Sequence, residues 1–166
     1  MPVLLMFVKI AHIHLFREHP MIRSPFFSIG FRPFFASGVL FAAIALLIWA
    51  GFWQFDIQST LVTTLKPFGG FLFWHPHELI MGFALAIIMG FLLTAVRNWT
   101  GLETAPPAGL FLLWLSWLLA RCTMAFSDGI PFTPLLISQI LPALLAAIFI
   151  ARLLFKSDYG ATCLPL

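Results

Sequence analysis

Four long stretches of the chain are apolar on every side and free of charge for most of their length: Phe34–Trp53, Leu79–Val96, Ala108–Phe126 and Ile130–Ala151. Each approaches the roughly 20 residues that a helix needs to cross a bilayer. No polar stripe recurs at helical spacing, so the helices suit lipid rather than the surface of a soluble bundle. The pattern predicts an all-α membrane protein, a bundle of four transmembrane helices over 34–53, 75–96, 108–126 and 131–152. Trp49 and Trp53 close the first run in the manner of interfacial aromatics. Gly82 and Gly90 open one side of the second to a close neighbour. Pro106 and Pro107 precede the third, while Pro131 and Pro134 begin the fourth and Pro142 falls inside it as an expected kink.

Composition agrees with the pattern. Apolar residues make up 61% and charged ones 9% of 166 residues, with a mean hydropathy of +1.03. A net charge of +3, dispersed and without a basic cluster, gives no footprint for nucleic acid. Cys122 and Cys163 form neither a C-x-x-C pattern nor a disulfide framework. The absence of C-x-x-C-H means that any haem would be held non-covalently.

With four spans both termini share one side, which would carry Lys9, Arg17, Arg23, Arg32, Arg97, Arg152 and Lys156, against Lys66 and Arg121 opposite. By the excess of basic residues the termini are expected in the cytoplasm and the 54–73 connection outside. Ile57, Leu61 and Leu65 within that connection fit either a short interfacial helix or a plain loop. Residues 1–30 read as a cytoplasmic segment whose His12, His14 and His19 suit a tail better than a metal site, and a start at Met21 would remove them. Residues 31–155 form the membrane region, and 156–166 a tail.

Candidate chemistry gathers at Trp74-His75-Pro76-His77-Glu78, at the mouth of the second span. Pro76 suits a first helical turn, where its missing N–H costs nothing. A helix from Leu79 would put His75 and Glu78 on one face and His77 with Met81 on another. Imidazole suits iron, copper and zinc, and a thioether suits copper(I) or haem iron. His75, His77, Glu78 and Met81 are therefore the candidate metal ligands; the competing reading is a set of polar residues finishing a helix end. Arg121 either answers Glu78 or a haem propionate, or snorkels to the interface. Arg32 reads as an anchor on the basic side or as the partner of a propionate or lipid phosphate. Ser138 and Gln139 are expected to bond between helices, and Met89 to fill space.

Three segments stand in order: Gly30-Phe31-Arg32-Pro33-Phe34-Phe35, Trp74-His75-Pro76-His77-Glu78, and Gly90-Phe91-Leu92-Leu93-Thr94-Ala95-Val96-Arg97-Asn98-Trp99-Thr100-Gly101. Together they resemble the N-terminal part of the NnrS family of bacterial inner-membrane proteins, over about residues 24–155. The resemblance implies a haem- and copper-containing protein linked to nitric oxide and denitrification, with His77, His75 and Arg121 as cofactor-binding candidates. It also implies a larger polytopic helical fold, so the ending from Ser157 to Leu166 reads as an aberrant truncation. Such a chain is expected in the inner membrane, surrounded by lipid and associated with itself or other membrane helices. Nothing shows a nucleophile triad, a phosphate loop or a dinucleotide fingerprint, which favours a binding protein over an enzyme. A transporter or channel subunit using His and Glu for protons or ions is the alternative.

Overall fold

A computed structural model describes residues 25–54 and 64–156. His12, His14, His19, Ile57, Leu61 and Cys163 lie outside the described residues, as does the 55–63 part of the 54–73 connection. Within the described chain there is no strand, and four helices are long and apolar enough to cross a membrane. Helix α1 spans Phe31–Gln54, α2 spans Gly70–Thr100, α3 spans Pro107–Ala125 and α4 spans Phe132–Lys156. A 3-10 turn at Pro25–Phe27 precedes them.

The expected helices are all present, and the second differs most from its expected bounds. It begins at Gly70 rather than 75, directly after Gly69 in the left-handed region at φ 71°. Pro76 is thus an interior residue, not a first-turn one. Inside a helix proline removes one backbone bond and crowds the carbonyl four residues earlier. Immediately afterwards Glu78–Ala84 is wound as a π-helix before α-helical winding resumes at Leu85–Thr100. At 31 residues and about 1.5 Å per residue, α2 is about 46 Å long, well beyond a hydrocarbon core of about 30 Å. Its far end stops at Gly101, left-handed at φ 66°, whose N–H bonds the Arg97 carbonyl at 2.9 Å. Pro107 opens α3 at its first turn, where φ suits it.

Helix α2 is the hub. It packs along α1 and α4, while α3 packs mainly on α4 and meets α2 at the π-helical segment. Two apolar clusters result. One gathers Phe34, Ala86, Met89, Leu93, Leu113 and Trp117 around the second half of α2. The other, smaller one gathers Ala45, Phe71, Trp74, Met124 and Leu135 around its first half. Met89 is buried among the packing residues, as expected. The outer faces stay apolar, with Leu47 72% and Leu72 67% exposed, surface that only lipid or other helices can satisfy. At the end of the bundle that carries the 3-10 turn, Arg32 donates to the Pro25 carbonyl at 2.7 Å and Arg97 to the Ser28 carbonyl at 3.1 Å. Arg32 thus serves this end of the bundle. At the opposite end Lys66 pairs with Asp128 at 2.6 Å.

Candidate functional site

Three helices converge on one buried polar knot. Glu78 of α2 is fully buried, and Arg121 of α3 and Gln139 of α4 are nearly so. Arg121 Nη1 donates to Glu78 Oε2 at 2.9 Å and Nη2 donates to Gln139 Oε1 at 2.6 Å. Arginine is only a donor, so the amide must turn its oxygen toward Arg121. The Gln139 Nε2 then donates to the Ala120 carbonyl at 3.0 Å and reaches Ser138 Oγ at 3.0 Å and Thr123 Oγ1 at 3.3 Å. Ser138 and Thr123 bond each other at 2.9 Å. The expected interhelical role of Ser138 and Gln139 is thereby realised, and Arg121 answers Glu78, one of the uses open to it.

The knot sits inside the bundle, not at a helix mouth. Arg121 is four residues from the end of α3 at Ala125, or about 6 Å along the axis. Glu78 lies beyond the first two turns of α2, so the helix dipole at the N-terminus is not what holds it. Its partner is the guanidinium. Gly82, one turn further on, makes the space: a Cβ there would lie 3.0 Å from Glu78 Oε2 and 2.5 Å from the Phe41 ring. The Gly82 carbonyl accepts the Trp117 indole N–H at 2.9 Å, which ties α3 to the π-helical turn. π-Helical insertions of this kind are frequent at functional sites.

The two histidines of the motif part company. His77 Nδ1 meets Glu78 Oε1 at 3.2 Å and its ring stacks on Phe73 with centroids 5.7 Å apart. Among the described residues His77 Nε2 has no hydrogen-bond partner. The His77 side chain lines a cleft of about 300 Å³ between α2 and α4, together with Met81, Met124, Leu135 and Gln139. Its rim residues Phe73, Phe132, Leu136 and Ile140 are exposed, so the cleft opens on the outer side of the bundle. His75 instead stacks on Trp49 of α1, with centroids 4.4 Å apart and planes 10° from parallel. Its Nδ1 is buried without a partner, as is the nearby indole nitrogen of Trp74. Glu78 therefore bonds its neighbour His77, not His75.

The donors along the cleft suit a soft metal or haem iron, since imidazole and thioether are their preferred ligands. Glu78 stands differently: one oxygen is taken by Arg121 and the other by His77, which leaves it behind the imidazole. No group of three or more His, Cys, Asp or Glu side chains converges among the described residues. Met124 is the thioether in the cleft that the motifs did not single out. Its only signal is position, three residues after Arg121 and so on the same side of α3.

No curated protein matches the chain, nor does any solved structure. A family model described as NnrS protein matches residues 25–161, somewhat further than the three motifs alone carry the likeness. That span is most of the 166 residues, and the chain accordingly belongs to the NnrS family.

Proposed function

We propose that the chain is a membrane-embedded haem- and copper-binding protein of the nitric oxide response, with His77 as its principal ligand. Family membership supports the nitric oxide role. The observation that carries the ligand assignment is the His77–Glu78–Arg121 chain: a carboxylate bonded to one imidazole nitrogen, itself anchored, with the His77 side chain lining the same cleft as Met81 and Met124. Histidine ligands of metals carry such a partner on the second ring nitrogen, which fixes their orientation. In this reading His77 and Met81 supply donors at the cleft, with Met124 facing them from α3. His75, with its unpartnered Nδ1 against Trp49, is the second candidate ligand on the opposite side of α2. Glu78 orients, and Arg121 anchors Glu78 at 2.9 Å. When bound, the group would supply the redox and gas-binding chemistry that these side chains lack.

The test is haem and copper content per protein for His77→Ala, His75→Ala and a deletion of residues 1–20, with a Soret band as the haem signature. His77→Ala should lose most of its haem or copper, and the deletion should retain it. Unchanged metal in both point variants, or loss confined to the deletion, overturns the proposal. The same reading puts both termini in the cytoplasm of a bacterial inner membrane. In a cysteine-free background, Asp128→Cys should then label from outside and Asn98→Cys should be protected. The reverse pattern inverts the topology.

A further inference from the structure

We propose that Arg121 and Gln139 are positioning residues for His77: acting through Glu78, they fix the imidazole as one tautomer, with Nδ1–H on the carboxylate and Nε2 bare at the α2–α4 cleft. The inference rests on the functional reading for what Nε2 meets, but not for the tautomer itself.

A carboxylate paired to a guanidinium can only accept hydrogen bonds. Glu78 Oε2 is committed to Arg121 at 2.9 Å, so Oε1, at 3.2 Å from His77 Nδ1, demands a proton from that nitrogen. A neutral imidazole that donates from Nδ1 has its lone pair on Nε2. Glu78 is held in place because Arg121 cannot turn away. The second arm of its guanidinium is fixed by Gln139, whose amide is clamped to the Ala120 carbonyl on α3 itself. Gly82 supplies the remaining condition, since a side chain there would press on the carboxylate and on Phe41. Phe41 has little freedom to yield, because it packs edge-on to Trp117 with centroids 5.8 Å apart. The His77 ring is also stacked against Phe73, with centroids 5.7 Å apart, which limits its rotation away from Glu78. His75 shares none of these partners, and so serves as an internal control.

The experiment is nitrogen NMR of the full chain, labelled at histidine ring nitrogens, in lipid nanodiscs without added haem or copper. The His77 signals are assigned by their loss in His77→Ala. In the unmodified chain His77 should show a protonated Nδ1 and an unprotonated Nε2. Arg121→Gln should shift His77 to a mixture of tautomers and leave the His75 signals in place; Arg121→Lys should restore much of the original pattern. Gln139→Leu, which leaves the Glu78–Arg121 pair intact, should give a smaller shift and covers the case in which Arg121→Gln fails to fold. Titration with copper(I) should be weakened about 10–100-fold by Arg121→Gln, the usual cost of losing a partner behind a ligand. A His77 protonated at Nε2 in the unmodified chain overturns the proposal, as do signals unmoved by both Arg121→Gln and Gln139→Leu. If the tautomer shifts as expected while His77→Ala keeps its metal, the functional reading fails and the positioning role stands.

Discussion

The two halves of α2 are held in place by different physics. From Leu85 to Thr100 the helix is fitted by size. A Cβ on Gly90 would lie 2.9 Å from Phe34 Cβ, and one on Gly38 would lie 3.2 Å from Ala86 Cβ. Thr94 and Thr100 donate within the helix, to the Gly90 and Val96 carbonyls. The ties of this half to other segments sit near one end, where Thr94 accepts the Phe31 N–H at 3.0 Å and Arg97 donates to the Ser28 carbonyl at 3.1 Å. From Gly70 to Ala84 the helix is interrupted by Pro76, unwound to π, and tied to α3 and α4 by the Glu78–Arg121–Gln139 knot. Among the described residues the buried side-chain atoms without partners, Trp74 Nε1, His75 Nδ1 and Arg121 Nε, all lie around this half. In lipid, burial of apolar surface no longer drives helices together, which leaves close packing and polar bonds as the means of association. One half uses the first along its length and keeps its polar ties near one end. The other uses the second and keeps unsatisfied polar atoms, a cost that a purely structural helix would shed.

The largest effect that could break this contrast is expected from Arg121→Ala. It leaves Glu78 buried without its guanidinium, which costs about 3–5 kcal/mol for a buried pair deprived of one member. Thermal unfolding in detergent should show a large fall in Tm. The paired replacement Arg121→Met with Glu78→Leu should recover most of it, because no buried charge remains. If the single variant is as stable as the unmodified chain, the knot is not what holds the first half of α2.

Next in size is the packed half. Gly90→Ala puts a methyl against the Phe34 Cβ, which sits too near its backbone to swing aside. Overpacking of this kind costs about 1–3 kcal/mol. The unfolding midpoint should drop while the His77 environment, read by its ring signals, stays unchanged. A shift at His77 would mean that the two halves are coupled and the contrast is too sharp.

How far these halves were legible in the sequence follows the same division. Size-fitting leaves a trace in residue type, and Gly82 and Gly90 marked where a neighbour comes close. Gln139 and Ser138, polar within an apolar run, announced their interhelical bonds. The start of α2 was not legible because Pro67 and Gly69-Gly70 read as the end of the connection, and a proline at 76 ordinarily marks a first turn rather than an interior. The π-helical segment Glu78–Ala84 carries no propensity of its own; Pro76 and the tertiary ties of Glu78 and Gly82 accompany it. The spacing already set His75 and His77 on different faces; what it did not show is that Glu78 bonds its neighbour His77 and not His75. Met124 could not be placed in the cleft without knowing which face of α3 turns to α4.

A smaller effect tests where the halves meet. Trp117 belongs to the packed cluster yet donates its indole N–H to the Gly82 carbonyl in the π-helical turn. Trp117→Phe keeps most of the ring and removes that one bond, at a cost of about 1 kcal/mol. Amide hydrogen exchange should rise around Gly82 and remain low around Leu93. Equal deprotection at both positions would make Trp117 a packing residue and nothing more.

The smallest effect is expected at the end of the bundle, where Lys66 and Asp128 pair at 2.6 Å with side chains 54% and 64% exposed. Distance alone would rank this contact above the buried one, since it is the shorter of the two. Exposure reverses the ranking: water solvates both ions in the absence of the pair, and salt screens what attraction remains. Ordering a lysine side chain also offsets much of the gain. Moreover, the same connection is held independently, because the Ser127 hydroxyl donates to the Lys66 carbonyl at 2.9 Å through backbone that the side chain does not affect. Lys66→Ala should therefore lower stability by at most about 1 kcal/mol, and the difference should shrink as salt rises. Measured side by side with Arg121→Ala at low and high salt, only the Lys66 variant should converge on the unmodified chain. A loss comparable to that of Arg121→Ala, insensitive to salt, would place the strength of the bundle at its end and not in the buried knot.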